Sequence, residues 1–102
     1  MLHELNDSTF DHETSEGTVL VDFYAAWCGP CQLQTPILEE LAEEIGDDAK
    51  IAKLDVDGSR ETAARFRVAS IPHLVLLRDG EIVREFRGLT DVRTLRDALK
   101  SA

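Results

Sequence analysis

The chain has 102 residues, 43% of them hydrophobic, and carries 11 Lys and Arg against 20 Asp and Glu, a formal net charge of -9. That length suits one compact domain with its own core, and the acidic balance argues against nucleic acid or anionic membrane as the main partner, since both reward clustered basic charge. Two cysteines allow at most one internal disulfide, so this is not a disulfide-stapled scaffold. No apolar run is long enough to span a bilayer. The start, Met1-Leu2-His3-Glu4, lacks the basic and apolar regions of a signal peptide, so a cytoplasmic protein is expected.

Taken in order, residues 1–5 suit a short first strand. A short helix is expected to start within residues 6–11, capped by Asp7 or Ser8 and anchored in the core by Phe10. Val19-Leu20-Val21-Asp22-Phe23-Tyr24 reads as a strand buried on both faces, central in a parallel sheet. Asp22 breaks that run, and strand alternation puts it on the face of Leu20 and Tyr24. A carboxylate there must be paired, hydrated or protonated. It is either a locally satisfied structural residue or a functional one.

Residues 29–45 are helical by pattern: Leu33, Ile37, Leu41 and Ile45 recur every four residues, joined by Leu38 and Ala42, with Glu39, Glu40, Glu43 and Glu44 on the solvent side. Pro36 should kink this helix, because the periodicity continues past it, and Gly46 should stop it. Residues 49–56 form the next expected strand, with Lys53 either snorkelling at an edge or tuning Asp22. Ser59 is expected to cap a short helix carrying Ala63, Ala64 and Phe66. Residues 74–77 and 82–86 flank Asp79-Gly80, a signal for a tight antiparallel hairpin. Gly88 ends the second strand, and Thr90 is expected to cap a last helix burying Val92, Leu95 and Leu99. The pattern predicts an α/β fold with a mixed sheet, helices on both faces and no second domain.

The chemistry concentrates in Trp27-Cys28-Gly29-Pro30-Cys31, where the central strand hands directly to a helix. Cys28 falls at the helix start, where free N–H groups and the positive end of the dipole favour a thiolate. Pro30 is tolerated in the first turn, and Cys31 returns to the same side one turn later. Cys28 is therefore the expected nucleophile and Cys31 the resolving thiol.

Val21-Asp22-Phe23-Tyr24-Ala25-Ala26-Trp27-Cys28-Gly29-Pro30-Cys31 resembles the active-site strand and loop of the thioredoxin family, with Gly-Pro between the cysteines as in thioredoxins proper. Over nearly the whole chain, Pro36 resembles the family's helix-kinking proline, Ile71-Pro72 its cis-proline loop, Asp22 and Lys53 its buried aspartate and neighbouring lysine, Gly80 its hairpin glycine, and Gly88 a glycine beside the substrate groove. The resemblance implies the thioredoxin fold and protein-disulfide reduction. Cys28 attacks, Cys31 resolves with help from Asp22, and substrate meets Trp27, Gly29, Pro30, Ile71, Pro72, His73 and Gly88. It further implies no bound cofactor, NADPH used indirectly through a thioredoxin reductase, disulfide-containing client proteins as partners, and a monomer. Gln32, Tyr24, Ser70 and His73 depart from frequent family choices. Gln32 removes a positive charge near the thiolate, while Ser70 and His73 bear on substrate range.

Two other readings compete. Cys28 and Cys31 with two of His3, His12 and His73 form a candidate zinc set. Alternatively the same fold serves as an oxidant, an isomerase or a subunit that docks a partner on a rim of Trp27, Ile71, Pro72 and Gly88. Gly-Pro between the cysteines argues against an oxidant.

Overall fold

A computed structural model describes residues 1–102. Five strands, β1 (His3–Leu5), β2 (Thr18–Tyr24), β3 (Lys50–Asp55), β4 (His73–Arg78) and β5 (Glu81–Arg87), form one sheet in the order β1-β3-β2-β4-β5. β3 runs parallel to both β1 and β2, whereas β4 is antiparallel to β2 and to β5. β2 is thus central as its apolar run predicts, but the sheet around it is parallel on one side only. Beyond β4 the tight hairpin adds the edge strand: Asp79 and Gly80 both adopt positive φ, 50° and 84°, which folds β5 straight back on β4.

Each sheet face carries its own core. Leu20, Leu74, Leu76 and Ile51 pack under α2 (Gly29–Ile45) and α4 (Val92–Ser101). Val19, Val21, Phe23, Leu54 and Val75 pack on the opposite face with Phe10 and Phe66, at the ends of α1 (Phe10–Thr14) and α3 (Arg60–Arg65). Burying a Leu or Phe side chain contributes roughly 1.5–3 kcal/mol, so these two layers clamp β2 in place from both sides.

α2 keeps the expected bounds, runs through Pro36 and ends at Gly46, which takes φ 54° and donates its N–H to Ala42 O. Its buried stripe differs from the expected one. Cys31, Gln34, Leu38, Leu41 and Ala42 face inward, whereas Leu33 is 61% exposed and Ile37 and Ile45 are half-buried. The every-fourth-residue row drifts around the helix, because four residues exceed one 3.6-residue turn, so its first member falls off the sheet side.

Three expected caps are corrected. Neither Asp7 nor Ser8 caps α1, whose N-cap is Thr9 without a side-chain bond. Asp7 instead accepts hydrogen bonds from the N–H groups of Glu61 and Thr62 and from the Thr62 hydroxyl, at 3.3, 2.8 and 2.7 Å. It therefore performs from a distance the capping expected of Ser59, which occupies the N-cap of α3 but makes no capping bond. In α4 the cap is Asp91, accepting from Thr94 N–H at 2.7 Å, and Thr90 lies one residue earlier on the approach loop.

Candidate active site

β2 ends at Tyr24, and Ala25 to Trp27 carry the chain into α2. Cys28 is the N-cap of that helix, extended at φ -90° and ψ 114°, and its Sγ accepts the N–H of Cys31 at 3.2 Å. Cys28 and Cys31 are joined as a disulfide with Cα atoms 5.2 Å apart. The local reason is the helix itself: position N3 brings Cys31 one turn above the cap, and its otherwise unpaired amide points at the capping sulfur. An N–H donor aimed at a cysteine sulfur favours the charged form of that sulfur over the neutral one.

Both cysteines are buried, Cys28 slightly less than Cys31, and Tyr24, Val56 and Ile71 pack around them. Above them Trp27 stands 71% exposed, its indole N–H donating to Asp57 at 2.8 Å. Gly29 and Pro30 are exposed beside it. The loop before β4 closes the other side: Ile71 O lies 3.7 Å from Cys28 Sγ, and the Ile71–Pro72 peptide bond is cis. Pro72 O accepts the N–H of Gly88 at 2.8 Å, which brings Gly88 to the same rim. None of the protein's cavities is lined by either cysteine.

His73 does not join this rim through its side chain. As the first residue of β4 it pairs with Phe23 and turns to that strand's far face, 1% exposed, with Nε2 2.9 Å from Glu85 and the ring packed on Phe23. Strand alternation, which turns the residue after Pro72 inward, corrects the expectation that this side chain contacts substrate. It also separates His73 from the cysteines, and no three His, Cys, Asp or Glu side chains in the protein converge as a metal site.

Asp22 lies beneath the helix of the cysteines, on the face of Leu20, fully buried, and neither carboxylate oxygen has a hydrogen-bond partner in the protein. Burial pushes its carboxyl up from an ordinary 3.8 to about 7; the positive charge of Lys53 pulls it down and the carboxylate of Glu4 adds to the rise. Asp22 and Lys53 are register partners across β2 and β3, so the parallel ladder brings together two residues that the sequence leaves 31 apart. The Lys53 ammonium does not bond Asp22. It donates to the Thr35 hydroxyl at 2.8 Å and sits 4.2 Å above the Tyr24 ring. The Tyr24 hydroxyl in turn donates to Glu4 at 2.8 Å, and burial together with that acceptor raises its pKa above the ordinary range.

A disulfide of two cysteines three apart, at the N-cap of a helix that leaves the central strand of a β1-β3-β2-β4-β5 sheet, describes a redox centre and its scaffold. The thioredoxin family model matches residues 1–101. Among curated relatives, the thioredoxin of Listeria monocytogenes is 52% identical over 88 residues, which cover 86% of this chain and 85% of the relative. That of Bacillus subtilis is 50% identical over 91 residues, covering 89% and 88%. The chain belongs to the thioredoxin family. It is a thiol–disulfide oxidoreductase of the α/β thioredoxin fold, and its Cys28–Cys31 pair is the redox-active disulfide.

Sequence reasoning missed Glu4, Gln34, Thr35 and Asp57. Glu4, Thr35 and Asp57 reach Tyr24, Lys53 and Trp27 only across tertiary contacts. Gln34 was detectable, as a polar residue three positions after Cys31 and four before Leu38, in line with the buried stripe.

Proposed function

We propose that the protein reduces disulfides of client proteins with Cys28 as the attacking and Cys31 as the resolving thiol, and that residues 1–102 act as one thioredoxin domain. The observation that carries this reading is the Cys31 N–H aimed at Cys28 Sγ at the cap of α2, which supports Cys28 in the thiolate role. The Cys28 thiolate attacks one sulfur of the client disulfide, a mixed disulfide forms, and the other client sulfur leaves as a thiolate. Cys31 then gives its proton to Asp22 and attacks Cys28. The second client thiolate leaves, Cys28–Cys31 closes, and two electrons have passed to the client. The burial of Asp22, which holds its pKa near neutrality, supports its role as the base, because a proton acceptor works best when poised near the working pH. Lys53 supports that role as the nearby positive charge that limits the rise.

Trp27, Gly29, Pro30, Ile71, Pro72 and Gly88 form the proposed docking surface. A reductase drawing on NADPH restores the dithiol, and the cytoplasm is the proposed compartment. The test is covalent trapping. Cys31→Ser should accumulate a mixed disulfide with insulin through Cys28, and Cys28→Ser should accumulate little. Equal trapping by the two variants refutes the assignment of roles.

A further inference from the structure

Gln34 is a buried polar side chain, 0% exposed, on the inward stripe of α2 one turn after Cys31. An amide in that position is unfavourable unless both of its ends are bonded. Both ends are bonded, and to one residue: Nε2 donates to Thr90 O and Oε1 accepts Thr90 N–H, each at 2.9 Å. The side chain thus pairs with the backbone of the loop between β5 and α4 much as a strand would. That loop is tied onward. The Thr90 hydroxyl donates to Gly88 O at 3.0 Å, Gly88 N–H donates to Pro72 O at 2.8 Å, and the adjacent Ile71 O lies 3.7 Å from Cys28 Sγ.

A chain of hydrogen bonds results, closed at its end by the non-bonded contact of Ile71 O with the disulfide sulfur of Cys28. It leaves the cysteine helix at Gln34, crosses to Thr90, follows the backbone to Gly88, passes to Pro72 and Ile71, and returns to Cys28. The two walls of the docking surface belong to different parts of the chain: Trp27 and Cys28 at the start of α2, Ile71 and Gly88 on the two loops opposite. No direct hydrogen bond holds Gly88 to the cysteine helix; α4 packs on α2 further along, through Leu95, Ala98 and the Arg96–Glu44 pair, and the Gln34 amide is the fastener nearest the docking surface. We propose that Gln34 is a positioning residue for client docking, which fixes the Gly88 loop relative to the redox pair. This inference rests on the docking surface proposed above.

The test uses the full-length protein and the near-isosteric Gln34→Met, which keeps the volume and removes both bonds. With insulin as substrate, KM is expected to rise roughly three- to tenfold while kcat stays within about twofold. Reduction of cystine, too small to span both walls, should change by less than about twofold on the same scale of comparison. Equal slowing on insulin and cystine overturns the proposal, since it marks a general effect on the thiols or the fold. Trp27→Ala run in parallel separates the two readings. A raised insulin KM in Trp27→Ala beside an unchanged one in Gln34→Met overturns the role of Gln34 and leaves the docking surface standing. Unchanged KM in both overturns the docking surface and this inference with it. Amide exchange of the unmutated protein gives a readout that does not depend on the variant folding: Thr90 N–H should be slowed about a hundredfold or more relative to a free peptide. Exchange at a free-loop rate overturns the fastener.

Discussion

Replacing Asp22 by asparagine removes the one carboxylate of the sheet interior with little change of shape. The rise from an ordinary 3.8 to about 7, at about 1.4 kcal/mol for each tenfold change in proton affinity, sets the scale at about 4 kcal/mol. The sign follows from proton binding. The folded protein holds the Asp22 proton more tightly than the unfolded chain, so this contribution to stability is fully present below the unfolded value. It is lost as pH rises, falling between about pH 4 and about pH 7 and staying flat above. Asp22→Asn has no such titration. Its own unpaired amide adds a pH-independent offset, which drops out when only the difference between the proteins is followed across pH. Denaturant melts of the oxidised proteins should therefore show Asp22→Asn gaining on the unmutated chain by up to about 4 kcal/mol between acidic and mildly alkaline pH. Parallel stability curves for the two proteins across that range would refute the buried, elevated carboxyl. If Asp22 is also the base for Cys31, insulin reduction by Asp22→Asn should be slowed most above about pH 7, where the unmutated carboxylate is ionised.

Leu38→Ala, which opens a cavity at a fully buried position between α2 and the sheet, should lower stability by about 3 kcal/mol; a change below about 1 kcal/mol in a denaturant melt would contradict the close packing of that layer. Asp7→Ala should speed amide exchange at Glu61 and Thr62 and lower the thermal midpoint, because the cap of α3 comes from this distant carboxylate. Since those bonds hold the Asp7 pKa below its ordinary value, the folded state binds this proton less tightly, and the stabilisation is present at neutral pH and lost in acid. Lys53→Met should lift the Asp22 carboxyl still further, seen by NMR titration, because the positive charge that pulls it down is gone; an unmoved titration would show that Lys53 and Asp22 do not interact.

Short-range signals decided much of this protein. The apolar run of β2, broken only by Asp22, requires burial on both faces, Asp79-Gly80 requires a tight reversal, and a strand passing into a helix at Cys28 places one sulfur at the cap and the other a turn above. Each is set by neighbours a few residues away, which is why α2 came out with its bounds intact and why the redox pair was recognisable. Alternation also placed Asp22 on the correct face. What the sequence left open was every relation between distant segments. Whether Lys53 meets Asp22 depends on the register of β3 against β2, and a shift of one residue would have turned Lys53 to the other face. The caps show the same limit. Ser59 and Thr90 are suitable residues in suitable places, yet Asp7, far off in the chain, satisfies α3, and the Thr90 backbone is held by Gln34 instead. Hydrogen-bond donors at a helix end or a loop take whichever acceptor packing brings near, and no local pattern records that choice. The sequence by itself determined the elements and the reactive pair; tertiary packing decided the electrostatics beneath them and the loops that face them, because both are sums over contacts that exist only once the sheet has assembled.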